Sequence, residues 1–182
     1  MAIHGQGGVS PGPVDHNYYM GLALAEARKA LDRGEVPVGA VVVQEDGEVL
    51  ASAHNRRETE KDPTAHAEIL ALRQAAKKLN TWRLDKSILY VTLEPCPMCA
   101  GALAQARVKR LVYGAADVRA GAVDSVFHLV EHPSLDHRVE VISGVREEEC
   151  RLLLQEFFRG LRREAVSRRD GRVDKGARLE IE

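Results

Sequence analysis

SILYVTLEPCPMCAGALAQARVKRLVYG, residues 87–114, is the stretch whose reading decides the fold. It opens on an apolar run, SILYVT (87–92), of strand-forming composition. It then turns through Pro95-Cys96-Pro97 into PMCAGALAQA (97–106), which favours a short helix. RLVYG (110–114) is strand-like again. A strand, a helix and a second strand in succession form a crossover, and a crossover pairs its strands in parallel.

The rest of the sheet is read outward from this unit. Upstream, VGAVVV (38–43) and VLASA (49–53) read as strands, and Asp46-Gly47 between them is a tight-turn signal, so the two form a hairpin. Downstream, RVEVI (138–142) supplies a fifth strand. Met20, Leu24, Ala27 and Leu31 recur at helical spacing, and Gly34 ends that helix. A second helix is expected to start near Asp62-Pro63, with Ile69, Leu72, Ala76 and Leu79 as its core face. A long helix is expected over about 145–164. These elements predict an α/β fold, a three-layer α/β/α sandwich around a five-stranded mixed sheet. Residues 1–14 read as a Gly- and Pro-rich, disordered leader, 15–164 as one domain, and 165–182 as a charged, frayed tail.

Composition narrows the function. The chain has 182 residues and a formal net charge of −1, so it is not a polycation that binds nucleic acid by bulk charge. No apolar run reaches the ~18 residues of a membrane span. The start, MAIHGQGGVSPGP, lacks the pattern of a secretion signal. Three cysteines, an odd number, argue against a disulfide framework and for a reducing cytoplasm.

The chemistry lies in two places. PTAHAEILAL (63–72) sets His66 two residues before Glu68, and Cys96 and Cys99 form a C-x-x-C pair. Cys96 falls where a strand gives way to a helix, the end of an α/β sheet that carries ligand sites. A helix N-terminus there favours thiolate, the metal-binding form. Two thiolates and one imidazole suit tetrahedral Zn2+. Three protein ligands leave a fourth position for a catalytic water, whereas a structural site is closed by a fourth side chain. Zinc lowers the pKa of bound water from ~15.7 toward ~7. Glu68 is then placed to take a proton from that water and return it to the substrate. The set fits hydrolytic loss of ammonia from an amino-substituted heterocycle.

Other readings stay open on the residues alone. A C-x-x-C pair can be redox-active. His132 and His137 have a spacing that zinc sites permit, although the gap from Cys99 is long for a finger and leaves His66 and Glu68 without a role. Glu68 by itself is an ordinary first-turn acid. Cys150 aligns with Leu154, Phe157 and Leu161 and reads as core.

HAE (66–68) with PCPMC (95–99) matches the H-x-E…P-C-x-x-C signature of zinc-dependent nucleobase deaminases. VPVGAVVV, HNRRE, DPTAHAEILALRQ, LYVTLEPCPMCAGAL, HRVEVISGV and LLQEFFR extend the likeness. From about residue 16 to 164 the chain resembles the bacterial tRNA-specific adenosine deaminase family. The resemblance implies a cytidine deaminase-like fold and a homodimer. It implies conversion of adenosine to inosine at the wobble position of an arginine tRNA, bound through its anticodon stem-loop. His66, Cys96 and Cys99 would hold one Zn2+ per subunit, and Glu68 would shuttle the proton. Asn55, otherwise a turn residue, would line the nucleoside pocket, and Asp117, otherwise a loop acid, would lie near the ribose. On the C-terminal helix Phe158 would stack on a base, since Phe157 falls on the core face. Arg159, Arg162 and Arg163, otherwise a solvated face, would meet phosphates.

Two positions depart from the family pattern. Asp124 stands where glycine is usual and Asp136 where asparagine is common, and either charge opposes RNA if it faces phosphate. A free-base or nucleotide deaminase for guanine or cytosine is the competing enzyme. A non-catalytic RNA-binding subunit would be expected to lack the shuttle acid, and Glu68 is present.

Overall fold

The computed structural model of the chain describes residues 14–176, with side chains to residue 167. Five strands, β1 (Gly39–Gln44), β2 (Val49–His54), β3 (Ser87–Leu93), β4 (Arg110–Ala115) and β5 (Glu140–Ile142), form one sheet in the order β2-β1-β3-β4-β5. The hairpin β1–β2 and the pair β1–β3 are antiparallel, and β3–β4 and β4–β5 are parallel. Two helices, α1 (His16–Asp32) and α5 (Glu147–Gly176), pack on one face. On the other lie α3 (Ala67–Leu79) and α4 (Pro97–Gln105), and the short α2 (Arg57–Glu60) precedes α3. The expected three-layer sandwich with a mixed sheet is what forms.

The central strands read as unbroken apolar runs because both of their faces are covered. Along β1, Val41 and Val43 face α1 while Ala40 and Val42 face the α3–α4 layer. Along β3, Ile88 and Tyr90 go to the first layer, Leu89 and Val91 to the second. Gly39 marks where α1 comes closest: a β-carbon there would run into the Ala23 carbonyl.

Several element boundaries differ from the sequence reading. The helix expected from Asp62 begins at Ala67. Asp62 caps a turn instead, its carboxylate accepting from the Thr64 amide (2.8 Å) and hydroxyl (2.7 Å). Consequently His66 is the residue that precedes α3 and not part of its first turn. The buried face of α3 carries Ala71 and Ala75 along with Ile69 and Leu72, while Ala76 and Leu79 are only half-buried. The fifth strand is short, because the Val139 amide bonds to the Val130 carbonyl in the preceding loop (3.2 Å). The last helix runs on to Gly176, where it was expected to end near 164 and fray. The leader over 1–13 and residues 177–182 lie outside the described residues.

The loop after β4 has no regular structure, and one buried carboxylate holds it. Glu94, just past β3, accepts from the backbone amides of Asp117 (2.9 Å), Val123 (3.1 Å), Asp124 (2.8 Å) and Ser125 (2.9 Å), and from the Ser125 hydroxyl. At Gly121 a β-carbon would collide with this carboxylate and the Asp117 carbonyl, so only glycine fits. Burial alone would raise the Glu94 pKa. The hydrogen bonds from Ser125, Asp124 and Asp117 outweigh it and hold the group below the usual carboxylate range.

A depressed folded-state pKa means stability that is complete above the unfolded value, ~4.3, and is lost as pH falls through the folded value. In Glu94→Gln the amide NH2 cannot accept, so at least one buried donor loses its partner, at a cost of about 1–3 kcal/mol. Urea denaturation at pH 7 should show that loss, and the gap between variant and wild type should narrow below about pH 4. Equal stability at pH 7, or a gap that persists in acid, would refute the clamp.

Candidate active site

Two helices open at one end of the sheet. His66 occupies the N-cap of α3 and Cys96 the N-cap of α4, both with extended backbone (φ −73°, ψ 150° and φ −72°, ψ 172°). Neither side chain caps its own helix, so each is free to project toward the other. Pro97 starts α4 at a position where its missing N–H costs nothing, and Cys99 follows one turn on, buried. His66 Nδ1 lies 3.7 Å from Cys96 Sγ and 3.6 Å from Cys99 Sγ. All three donor atoms lie within 4.8 Å of one another. Bonds of ~2.1 Å to nitrogen and ~2.3 Å to sulfur at tetrahedral angles put donor atoms ~3.6 Å apart. The two nitrogen–sulfur distances match that geometry, so the three side chains could hold a tetrahedral cation. Among the described residues they are the cluster of this kind, and His137 is engaged elsewhere, its Nε2 2.7 Å from the Val108 carbonyl.

The electrostatics favour a cation. The Cys96 thiol is held down to about 4, chiefly by a hydrogen bond from Cys99 and then by His66. Cys99 moves up for the reciprocal reason, beside the Cys96 anion and in a buried place. Hydrogen bonding to Cys96 raises the His66 pKa. This arrangement favours a Cys96 thiolate, the form that binds metal, and a metal ion held here would displace the proton of Cys99. Glu68, in the first turn of α3, is buried, and burial pushes its carboxyl upward.

A cavity of about 120 Å³ opens beside this cluster. That is well below the ~300–1,000 Å³ of pockets for drug-sized ligands, so it suits one ring system. Its walls come from one end of the sheet: Val36 and Val38 before β1, Asn55 and Arg57 after β2, Leu93 and Glu94 at the end of β3, and Asp117 after β4. His66, Ala67, Glu68 and Cys96 complete it.

Of the sequence-derived candidates, His66, Cys96, Glu68, Asn55 and Asp117 share this cavity, and Cys99 lies behind Cys96. Asn55 is buried, its Nδ2 donating to Glu35 Oε2 and to the Val36 carbonyl, each at 3.4 Å. Asp117 turns its carboxylate onto its own loop, accepting from the amides of Arg119 (3.0 Å) and Ala120 (3.2 Å). Phe158, Arg159 and Arg162 are exposed on α5 and do not line the cavity. Phe157 is half-buried, its ring edge-on to Phe158 at 5.3 Å. Asp124 is exposed, and its carboxylate accepts from the Tyr113 hydroxyl (2.6 Å). Asp136 lines a separate cleft with Trp82, Arg107 and His137.

Three polar residues escaped the sequence reading: Glu35, Arg57 and Glu94. Glu35 is buried and accepts from Asn55, from the Glu58 amide (3.2 Å) and from the Thr59 amide (2.6 Å). The available signal was an acid directly before a buried strand, with no helix start to favour it.

Comparison with known proteins agrees with this geometry. Residues 14–162 match the family model of the MafB19-like deaminases. The tRNA-specific adenosine deaminase of Bacillus subtilis (strain 168) is 50% identical over 151 residues, 83% of this chain and 93% of that protein. A solved tRNA:A34 deaminase, studied for A-to-I editing at the wobble position, superposes with a TM-score of 0.72 at 47% identity, covering 75% of this chain and 98% of that one. The guanine deaminase of Bacillus subtilis is more distant, with a TM-score of 0.55 and 34% identity over 70% of this chain and 83% of that one. The chain belongs to the MafB19-like deaminase family, among its tRNA-specific adenosine deaminases.

Proposed function

We propose that this protein hydrolyses adenosine to inosine, with release of ammonia, at the wobble position of a tRNA anticodon, an arginine tRNA by family resemblance. The observation that carries the proposal is a buried acid, Glu68, beside a His66–Cys96–Cys99 cluster at the wall of a cavity sized for one ring system. Two sulfurs and one imidazole select zinc among common divalent ions. When bound, the zinc supplies a Lewis acid that activates water at neutral pH.

The remaining work falls to the chain. Glu68, lifted by burial, accepts one proton of the attacking water and delivers it to the ring nitrogen, then takes the remaining proton from the hydroxyl now on the ring carbon and passes it to the amine, which leaves as ammonia as the carbonyl forms. Asn55, with its amide hydrogens turned toward Glu35 and Val36, presents its carbonyl oxygen to the base. Val36, Val38 and Leu93 press on the ring and exclude water. Asp117 stands where the ribose of an extruded nucleotide would follow. The exposed Phe158, Arg159 and Arg162 of α5 serve the flanking anticodon loop, outside the cavity.

A second copy of the chain is part of the proposal. Between α3 and α4 runs an apolar groove of about 620 Å³, flanked by Leu72, Ala76, Leu84 and Ala102, with Trp82 60% exposed at its side. An exposed tryptophan on an apolar groove is the composition of an interface anchor. Acting on tRNA places the protein in the cytoplasm, where its three unpaired cysteines stay reduced.

The functional proposal is tested by incubating purified protein with an anticodon stem-loop and, separately, with free guanine and cytosine. Inosine in the RNA is expected, and Glu68→Gln should keep its metal yet lose at least ~10²–10⁴-fold in turnover. Ammonia from the free bases with no inosine in the RNA would favour a free-base deaminase instead. Sedimentation velocity should show a dimer that Trp82→Glu dissociates; a wild-type monomer at micromolar concentration would rule the dimer out.

A further inference from the structure

Resting on the adenosine deaminase reading, we propose that Arg57 binds a backbone phosphate of the nucleotide whose base enters the cavity. The metal-ligand cluster and Glu68 are at the buried side of the cavity, so a base must enter ring-first and leave its sugar and phosphates at the rim. Among the described lining residues Arg57 is the lysine or arginine present, against three carboxylates, Glu68, Glu94 and Asp117. Glu68 and Glu94 are buried and Asp117 is partly exposed, so without Arg57 the charged side chain left at the rim for an RNA phosphate to meet is an acid. A guanidinium offers paired donors that match phosphate oxygens.

The segment that carries Arg57 is held in place. The Arg56 amide donates to the Ala65 carbonyl (3.0 Å). Buried Glu35 accepts from the amides of Glu58 (3.2 Å) and Thr59 (2.6 Å) on the other side. Glu35 also holds Asn55, so the residue proposed to face the base and the one proposed to face the phosphate share one anchor. A donor on a backbone fixed in advance loses less entropy on binding. The side chain itself is available: its partner in the free protein is Glu58 Oε1 at 3.2 Å, and the two side chains are 49% and 73% exposed. Exposed pairs of this kind exchange readily for a better partner. Among the described residues no arginine of α5 lines this rim.

The test uses full-length, metal-loaded protein and an anticodon stem-loop, comparing wild type, Arg57→Gln and Arg57→Lys across a salt series. Loss of one charge-assisted hydrogen bond should raise KM about 10-fold or more in Arg57→Gln, the loss falling on KM rather than on kcat. The slope of log KM against log salt should become shallower by about 0.7, the contribution of one phosphate of a single strand, and lysine should restore part of both. Stem-loops with a methylphosphonate on the 5′ or the 3′ side of the target adenosine identify the phosphate. One of the two should weaken wild type to the level of Arg57→Gln and add nothing in the variant. Unchanged KM and salt slope in Arg57→Gln would overturn the inference, as would methylphosphonate losses that are equal in wild type and variant. If wild type forms no inosine in the RNA, the functional reading fails first and this inference with it.

Discussion

Everything in this site depends on two helices beginning at the same point in space. α3 and α4 lie side by side on one face of the sheet, and the residue before each turns its side chain off the helix axis. Small residues set how closely the two helices sit on the sheet: Ala67, Ala71 and Ala75 on α3 and Ala100 on α4 are all buried in the core of that layer. Larger side chains there would displace the helices in that layer. A separation increased by even 1 Å would take donor atoms now 3.6–3.7 Å apart out of the range of a single tetrahedral ion. The parallel pair β3–β4 and the antiparallel β1–β2 hairpin then bring three further chain segments to the same end of the sheet.

Three buried glutamates surround that point, and their environments push them in different directions. Glu94 and Glu35 would be raised by burial, but each accepts backbone amides, Glu94 from the loop after β4 and Glu35 from α2, and hydrogen bonds hold both below the usual carboxylate range. They are ionised fixtures that fix the walls of the cavity. Glu68 has no comparable set of donors, and burial raises it. The proposed mechanism needs a carboxyl that gains and loses its proton near neutral pH, and of the three Glu68 is the one raised by burial. Division of labour among like residues is thus set by how many amides each one meets.

The strands and the His66–Cys96–Cys99 cluster were legible in the sequence because each rests on local or rare signals. Apolar runs bounded by Asp46-Gly47 or by Pro95 mark strands whatever the rest of the chain does. His66, Cys96 and Cys99 stand out because few side chains can serve a metal. The start of α3 was misread because Asp62-Pro63 has the chemistry of a helix cap and a turn alike, and the Thr64 hydroxyl decided for the turn. The clamps formed by Glu35 and Glu94 were not legible, since their partners are backbone amides 23 to 31 positions away, and an amide carries no sequence signature. Arg57 was hidden for the same reason: only the folded loop places it at the cavity. For Asp124, the sequence showed a charge but not that Tyr113 would hold it.

The central claim is that three side chains from two helix starts close on one ion and leave a position for chemistry. Zinc K-edge X-ray absorption on the purified, zinc-loaded protein tests it most directly. The account predicts two sulfur scatterers at ~2.3 Å and two nitrogen or oxygen scatterers at ~2.0–2.1 Å, with outer-shell scattering from a single imidazole. A protein that retains no zinc, or a spectrum that requires a second imidazole or a third sulfur, would contradict it.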